Sequence, residues 1–393
     1  MNKQRKFFVD PILKEISFDN ENYWMINLVN TPEFRRLSRI KQLGCSDIIF
    51  TSASHTRLSH CLGAYEITRR FINQLDLSIE HPYESKVLLC AALLHDLGHG
   101  PNSHAFEKYT GINHEEYTKK IILDKTTNIH KILVQNNISP NDVVDVLFKK
   151  AKAQWTTDLI DSQIDADRMD YLLRDSWYTG AAYGQINPSI LIRGSRIVDG
   201  RLCFEEKIVA EIENLLIGRF HMYERVYNNP NTIKYEFVVS SIFKRVKELI
   251  NQNYKFISQT DLIKLFDPWF KNKEFKVHEF LKLDDFVFST FIESLRIEKD
   301  EILVKLLKAY DDTTLITVDA NGNQTKYQEL LKENSEYFVG IYNVKPLRIY
   351  TENPDPIYVI DKLQNVKELT KVSKIMNKLK DIKYSTSYII QIK

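Results

Sequence analysis

The sequence predicts a mostly helical protein, with a helical body over residues 1–250 and a smaller α+β portion over 251–393. Apolar residues recur every three or four positions through most of the stretch from about 24 to 250, as in helices that bury one face. After about residue 255 the helical segments become shorter, and strand-like runs appear near the C-terminus. These runs are EYFVGIYNV (336–344), PLRIYT (346–351), PIYVI (356–360) and SYIIQI (387–392).

Three segments of the N-terminal part predict helices. They are EFRRLSRIKQLG (33–44), LGAYEITRRFINQL (62–75) and SKVLLCAALLHDL (85–97). The third segment is almost entirely apolar from Val87 to Leu94, which predicts a buried central helix. Gly98, Gly100 and Pro101 would end that helix, and we expect the two glycines to let a bound molecule approach the backbone.

Two further elements are predicted before residue 250. RIVDGRLCFE (196–205) combines alternating apolar residues with an Asp-Gly pair, which favours a β-hairpin. EIENLLIGRFHMYERVYNN (211–229) predicts a long amphipathic helix that ends at Asn229-Pro230.

The composition indicates a globular chain without a polyanionic partner. Hydrophobic residues make up 43% and charged residues 27%, as in ordinary soluble proteins. The formal net charge is only +2, so nucleic-acid binding is possible but not indicated. The four cysteines have no CxxC spacing, and no apolar run is long enough to span a membrane. We therefore expect a reduced, cytoplasmic protein with buried thiols and no membrane association.

Histidines and aspartates are concentrated in two regions. Seven of the ten histidines lie between His55 and His114, on both sides of the apolar helix. The segment IDADRMDYLLRD (164–175) carries four aspartates on a helical pattern, although aspartate is unfavourable inside helices. A single histidine in such a place more often packs or caps a helix than binds a metal. The combined pattern favours a metal site.

The residues His60, His95, Asp96 and Asp167 could hold one divalent metal. Two imidazoles and two carboxylates suit Mn, Mg, Fe or Zn, and an octahedral ion would keep two positions open. The adjacent His95 and Asp96 are only about 100° apart around a helix, so both can reach one ion.

The order of these residues resembles the HD phosphohydrolase superfamily. Five surrounding segments are similar to its deoxynucleoside triphosphate (dNTP) triphosphohydrolases, including the sterile-alpha-motif- and HD-domain enzyme and the bacterial dGTPases. The segments are TPEFRRLSRIKQLG (31–44), HTRLSHCLG (55–63), HDLGHGPNSHAFE (95–107), NHEE (113–116) and DADRMDYLLRD (165–175). The resemblance spans roughly residues 8 to 235 and implies an HD-domain helical core.

The resemblance implies hydrolysis of a dNTP to a deoxynucleoside and inorganic triphosphate. Water would attack the α-phosphorus, and a histidine would protonate the leaving 5′ oxygen. His104 and His114 would supply this acid and its relay with Glu107, where the resembled enzymes carry Asp, and His99 would face the α-phosphate. The resemblance also assigns substrate contacts. Arg57, Arg168 and Arg219 would bind the triphosphate, Gln42 and Asp175 the 3′-hydroxyl, and Leu43, Tyr171 and Tyr227 the sugar.

Alternatives to this function remain open at this level. The chain could be an HD phosphohydrolase or phosphodiesterase acting on another nucleotide, or a regulator that binds nucleotides or nucleic acid. The residues that match the sugar pocket count against another nucleotide substrate, and the retention of all four candidate ligands counts against a regulator. By resemblance, we also expect a homo-oligomer such as a dimer or tetramer.

Overall fold

Helices form most of this computed structural model, which describes residues 5–258, 260–320 and 322–393. The α-helices are α1 Ile26–Val29, α2 Pro32–Arg35, α3 Arg57–Gln74, α4 Leu77–Glu80, α5 Pro82–Leu94, α6 His104–Thr110, α7 His114–Leu123, α8 Asn128–Gln135, α9 Pro140–Leu147, α10 Gln154–Ile160, α11 Ala166–Thr179, α12 Pro188–Arg193, α13 Val209–Met222, α14 Pro230–Asn251, α15 Thr260–Leu265, α16 Asp267–Phe270, α17 Val277–Phe280, α18 Asp285–Ser294, α19 Glu301–Asp311, α20 Gln324–Glu333, α21 Leu369–Val372 and α22 Lys374–Leu379.

Short strands are concentrated at the N-terminus, around residue 200 and near the C-terminus. They are β1 Arg5–Asp10, β2 Lys14–Asp19, β3 Ser195–Val198, β4 Arg201–Glu205, β5 Ile316–Asp319, β6 Val339–Asn343, β7 Leu347–Arg348, β8 Tyr358–Ile360, β9 Val366–Glu368, β10 Lys383–Tyr384 and β11 Ser387–Ile392. The predicted fold class, a helical body with a smaller α+β C-terminal portion, is confirmed.

The apolar segment forms the buried centre of the helical body. Helix α5 packs against α3 and α9, and its residues from Val87 to Leu94 are all buried. Helix α3 also packs against α11. These two helices approach closely at Gly63, because a Cβ atom there would collide with the Asp170 and Arg174 side chains of α11. The close approach of α3, α5 and α11 brings the polar regions of the sequence together.

The prediction of one helix over 33–44 is wrong. Helix α2 ends at Arg35, a 3-10 turn covers Arg36–Arg39, and Ile40 is extended with φ −124° and ψ 116°. The backbone then pairs with residues at the start of α3 and just before it. The Gln42 amide donates to the His55 carbonyl at 3.0 Å, and the Arg57 amide donates to the Ile40 carbonyl at 2.9 Å. These long-range hydrogen bonds replace those that a continued helix would make.

The predicted hairpin at 196–205 and the helix after it are both present. Strands β3 and β4 pair antiparallel, with Ile197 opposite Leu202. Helix α13 continues as a π-helical turn over Tyr223–Tyr227, and α14 begins at Pro230, as the Asn229-Pro230 pair predicts.

The C-terminal strands do not form one separate sheet. Strand β8 pairs in parallel with β4, so a four-stranded sheet of order β3-β4-β8-β9 joins both portions of the chain. A second sheet has the order β5-β11-β6, and β10 pairs with β7.

The N-terminal strands β1 and β2 form a hairpin that the sequence reasoning missed. Its turn is closed by the Asp10 side chain, whose Oδ1 accepts the amides of Ile12 and Leu13 at 2.9 and 2.8 Å. This hairpin places the second oxygen of Asp10 near α11.

Candidate active site

Four predicted metal ligands converge where α3, the end of α5 and the first turn of α11 meet. The His60 Nε2 atom lies 3.1 Å from His95 Nε2 and 2.9 Å from Asp167 Oδ1. The His95 Nε2 atom lies 3.4 Å from the same Asp167 oxygen. Asp96 completes the group, with one oxygen 3.5 Å from His95 Nε2 and the other 3.7 Å from His60 Nε2.

Hydrogen bonds at the far side of each ring orient the two imidazoles. The His60 Nδ1 atom bonds to Asp170 Oδ2 at 2.8 Å, and the His95 Nδ1 atom bonds to the Ala92 carbonyl oxygen at 2.9 Å. Both acceptors need an N–H on Nδ1, so in the neutral rings the lone pairs lie on the two Nε2 atoms. Two lone pairs at 3.1 Å repel each other unless a cation or a proton lies between them.

The local charge also fits a divalent cation. Burial alone would lower the pKa of His60, but hydrogen bonds to Asp167 and Asp170 raise that pKa to about 10. The site therefore attracts positive charge strongly, and a metal ion would replace the proton that His60 otherwise holds. The donor set, two imidazole nitrogens and two carboxylates, suits several divalent metals.

The hydrogen bond between His60 and Asp170 continues into a buried chain of charged side chains. Arg174 donates from Nε and Nη2 to the two oxygens of Asp170 at 2.9 and 2.8 Å, and from Nη1 to Asp10 Oδ2 at 2.8 Å. The Arg174 and Asp170 side chains are fully buried. No sequence pattern assigns a role to Asp10, Asp170 or Arg174, although Asp170 is one of the four aspartates in the segment 164–175. In the structure the Asp170 carboxylate orients His60, a candidate metal ligand.

Asp96 connects the candidate metal ligands to the next group of histidines. Its Oδ2 atom accepts a hydrogen bond from Arg57 Nη1 at 2.6 Å, and its Oδ1 atom lies 3.2 Å from His99 Nε2. Burial, followed by the nearby Arg57 charge, lowers the pKa of His99 well below its ordinary value, so this ring is neutral. Neither ring nitrogen of His99 makes a hydrogen bond within the described part of the chain.

Glu107 joins the two histidines predicted to form the acid relay. Its Oε2 atom bonds to His104 Nδ1 and its Oε1 atom to His114 Nδ1, both at 2.7 Å. The Oε1 atom also accepts the His114 backbone amide at 2.8 Å. Burial opposes ionisation, but the hydrogen bonds from the two histidines hold the pKa of Glu107 well below its usual range.

The three histidines of this group differ in exposure. The His99 and His114 rings stack with their centroids 3.9 Å apart, and the His104 ring lies edge-on to both. The His104 side chain is 60% exposed, whereas His99 is fully buried. His104 is therefore the member of this group that is most accessible from solvent.

Three of the residues predicted to bind the 3′-hydroxyl and the sugar, Asp175, Tyr171 and Tyr227, lie in one network. Tyr227 donates its hydroxyl to Asp175 Oδ2 at 2.8 Å, and His55 Nε2 bonds to Asp175 Oδ1 at 2.7 Å. Tyr171 lies edge-on to Tyr227, with ring centroids 6.1 Å apart. The sequence pattern assigns His55 no role beyond its place among the seven clustered histidines.

Gln42 and Arg57 link this network to the candidate metal ligands. Arg57 Nη2 donates to the Gln42 carbonyl oxygen at 3.2 Å, while its Nη1 contacts Asp96. The Gln42 Oε1 atom is buried and has no hydrogen-bond partner within the described residues. An orphaned buried acceptor at this place is suited to a hydroxyl donor from a ligand.

The remaining predicted substrate residues are placed as follows. Leu43 is half-buried and directly follows Gln42. Arg168 is half-buried in the first turn of α11 and donates to Asp165 Oδ2 at 2.5 Å, so part of its hydrogen-bonding capacity is used within the protein. Arg219 is buried in α13, and its Nη1 atom has no partner within the described residues.

At Gly98 and Gly100, atoms of the protein occupy the space that a side chain would fill. The expected approach of a bound molecule to this backbone stays a prediction. A Cβ atom at Gly98 would collide with the His114 carbonyl and the Thr118 amide, and one at Gly100 would collide with the Phe106 ring. Both glycines therefore allow close packing of the loop against α6 and α7. They position the site indirectly.

The four cysteines are all buried and unpaired, as predicted. Among the described residues, no helix is both long enough and apolar enough to cross a membrane.

Comparisons with known proteins agree with this geometry. The HD domain family model matches residues 57–175, the stretch that carries His60, His95, Asp96 and Asp167. The uncharacterized protein MG461 of Mycoplasma genitalium is 34% identical over 98% of this chain and 97% of its own length. The crystal structure of a phosphohydrolase from Bacteroides thetaiotaomicron superimposes with a TM-score of 0.86 at 26% identity, covering 99% of this chain and all of the other.

A more distant relative carries a functional name. The Dictyostelium discoideum protein named deoxynucleoside triphosphate triphosphohydrolase SAMHD1 homolog is 25% identical over 64% of this chain and 52% of its own length.

Proposed function

This chain belongs to the HD-domain phosphohydrolase family, and we propose that it hydrolyses dNTPs to a deoxynucleoside and inorganic triphosphate. One observation carries the proposal: Asp96 contacts both Arg57 and His99. These contacts join the candidate metal ligands to the His99, His104 and His114 group, and Arg57 extends the connection to Gln42. The name of the Dictyostelium relative supports the same substrate class.

A divalent metal held by His60, His95, Asp96 and Asp167 would polarise a phosphate oxygen and lower the pKa of water. The chain's own residues would place the α-phosphate beside His99, whose neutral ring has one N–H group to donate to a phosphate oxygen. Arg219, with its unpartnered Nη1, would bind the remaining phosphates, since guanidinium groups bind phosphate oxygens in pairs.

His104 would act as the general acid. Water attacks the α-phosphorus, the bond between this phosphorus and O5′ breaks, and a proton from His104 Nε2 goes to the 5′ oxygen. Glu107 holds Nδ1 of His104 and stabilises the protonated ring, while His114 fixes the second oxygen of Glu107. The exposure of His104 agrees with its role as the acid.

The network around Asp175 would select a deoxyribose. Either Gln42 Oε1 or the Asp175 carboxylate would accept the proton of the 3′-hydroxyl. Tyr171 and Tyr227 would pack against the sugar and leave no space for a 2′-hydroxyl. This assignment favours a dNTP over another nucleotide, which remains the alternative substrate class.

Product analysis tests the proposal. The pure protein is incubated with each dNTP and each ribonucleoside triphosphate in Mn²⁺ or Mg²⁺, and the products are separated by ion exchange. We expect inorganic triphosphate and deoxynucleoside from dNTPs. Pyrophosphate, monophosphate or no turnover would contradict the proposal, and preferred hydrolysis of ribonucleotides would assign the site to another nucleotide.

A further inference from the structure

We propose that the carboxylate of Asp285 is a positioning residue, which fixes the backbone before His104 and thereby places the His104 imidazole. The inference rests on the proposed function, because the role of His104 belongs to that function. Asp285 lies in the C-terminal portion, for which the sequence supplies no interpretable motif.

Asp285 binds two segments of the candidate active site at once. Its Oδ2 atom accepts the Lys41 backbone amide, and its Oδ1 atom accepts the Asn102 backbone amide, both at 2.7 Å. Lys41 directly precedes Gln42, and Asn102 lies two residues before His104. One carboxylate therefore sets the distance between the Gln42 segment and the acid segment.

The backbone that Asp285 holds is strained. Asn102 has φ 59°, and Ser103 has φ 54° with ψ −123°, a conformation that residues with a Cβ atom rarely adopt. Such conformations persist where surrounding contacts over-determine them, and they occur preferentially at functional sites. Ser103 is the residue directly before α6, so its conformation sets the direction in which His104 begins the helix.

Further contacts hold the same loop against the Lys41 segment. Ser103 Oγ donates to the Lys41 carbonyl at 2.6 Å and accepts from Arg57 Nε at 3.0 Å. Gly44, with φ 51°, lies so close to the Asn102 carbonyl that a Cβ atom there would collide with it. The loop therefore has little freedom as long as its contacts remain.

The segment from Leu283 to Asp285 also reaches the start of the loop. The buried Arg36 guanidinium donates to the Leu283 carbonyl at 2.8 Å, to the Leu97 carbonyl at 3.2 Å and to the His99 carbonyl at 2.6 Å. The C-terminal portion thus holds the loop of residues 97–103 at both ends. It reaches the carbonyls of Leu97 and His99 through Arg36, and it binds the Asn102 amide through Asp285.

The neighbouring carboxylate provides a matched control. Asp284 accepts Arg39 Nε at 2.6 Å and the Val287 amide at 2.9 Å, so it caps α18 and pairs with a half-exposed arginine. An asparagine at 284 retains the helix cap. At 285 an asparagine offers one acceptor oxygen where two amides donate, and its NH₂ group would face the other N–H.

The experiment compares Asp285→Asn and Asp285→Glu with Asp284→Asn and the wild type. Hydrogen exchange of the peptides covering Lys41 and Asn102–His104 is followed by mass spectrometry, alongside bound metal, kcat and KM for a dNTP. For Asp285→Asn we expect at least tenfold faster exchange in these peptides and unchanged metal content. We also expect kcat to fall by about 10- to 100-fold, because small misplacements of a catalytic group have effects of this size. Asp284→Asn should match the wild type.

The inference would be overturned if Asp285→Asn had the exchange rates and the kcat of the wild type. It would also be overturned if kcat fell equally in Asp284→Asn. If Asp285→Asn does not fold, Asp285→Glu is compared in the same way, because it keeps both oxygens on an arm one methylene longer. A wild-type protein that releases no triphosphate would contradict the proposed function. The exchange measurement would still test whether Asp285 holds the backbone at Lys41 and Asn102.

Discussion

The Nε2 atoms of His60 and His95 lie 3.1 Å apart, although Asp170 and the Ala92 carbonyl occupy the opposite nitrogens of the two rings. With the N–H groups used at Nδ1, two lone pairs point into the same small volume beside Asp167. This relationship is the structural reason for regarding the four predicted ligands, His60, His95, Asp96 and Asp167, as a candidate metal site. It also shows which neighbours keep the rings in that orientation.

Replacing Asp167 by alanine is expected to remove bound metal and activity together. The carboxylate is the candidate ligand that α11 supplies, and without it only His60, His95 and Asp96 would remain to hold the metal. Metal content is measured by mass spectrometry after dialysis. Asp161→Ala is the control, because the half-exposed Asp161 carboxylate forms an ion pair only with Lys149, at 3.1 Å, among the described contacts. Full metal occupancy in Asp167→Ala would show that Asp167 is not a ligand.

Asp170→Asn is expected to weaken metal binding by about 10- to 100-fold, because it disturbs the group that orients His60. Stability should also fall by about 3–5 kcal/mol, since Arg174 is left as a buried charge with a weakened partner. Metal titration and urea unfolding measure the two effects. Asp10→Asn is the matched variant, because it removes an Arg174 contact while His60 keeps Asp170. Equal losses of metal affinity in both variants would contradict a specific role for Asp170.

Glu107→Gln is expected to lower kcat by at least about 100-fold while metal content stays unchanged. A glutamine cannot accept hydrogen bonds from both His104 and His114 with two equivalent oxygens. Steady-state kinetics and metal analysis of the same preparations test this expectation. Glu107→Asp should recover part of the rate because the charge is kept. An unchanged rate in Glu107→Gln would remove the relay from the mechanism.

The depressed pKa of Glu107 predicts a pH-dependent contribution to stability. Because the folded-state pKa lies below the ordinary value, the stabilisation is complete above about pH 4.3 and declines as pH falls below it. Urea unfolding from pH 7 to pH 3 should show a difference between wild type and Glu107→Gln that shrinks below about pH 4.3. The exposed Glu116 gives the control Glu116→Gln. A constant difference over the whole range would mean that Glu107 is not held ionised by the fold.

The sequence predicts the fold class and the four candidate metal ligands, because both predictions depend on local patterns and on the order of those patterns along the chain. The Asp10–Arg174–Asp170 chain could not be found in this way, since it joins residues 164 positions apart through tertiary packing. The helix predicted over 33–44 fails for a related reason: Arg36 turns inward to bind three carbonyl groups, and the following backbone pairs with residues 55–57. The role of Asp285 likewise depends on contacts that no short segment contains.

Hydrolysis of a dNTP in H₂¹⁸O tests the central claim most directly. If water attacks the α-phosphorus and the leaving 5′ oxygen takes a proton from His104, one ¹⁸O atom per turnover enters inorganic triphosphate and none enters the deoxynucleoside. Mass spectrometry of the two separated products distinguishes these outcomes. Label in the 5′-hydroxyl, or in orthophosphate or pyrophosphate released in place of triphosphate, would contradict the mechanism.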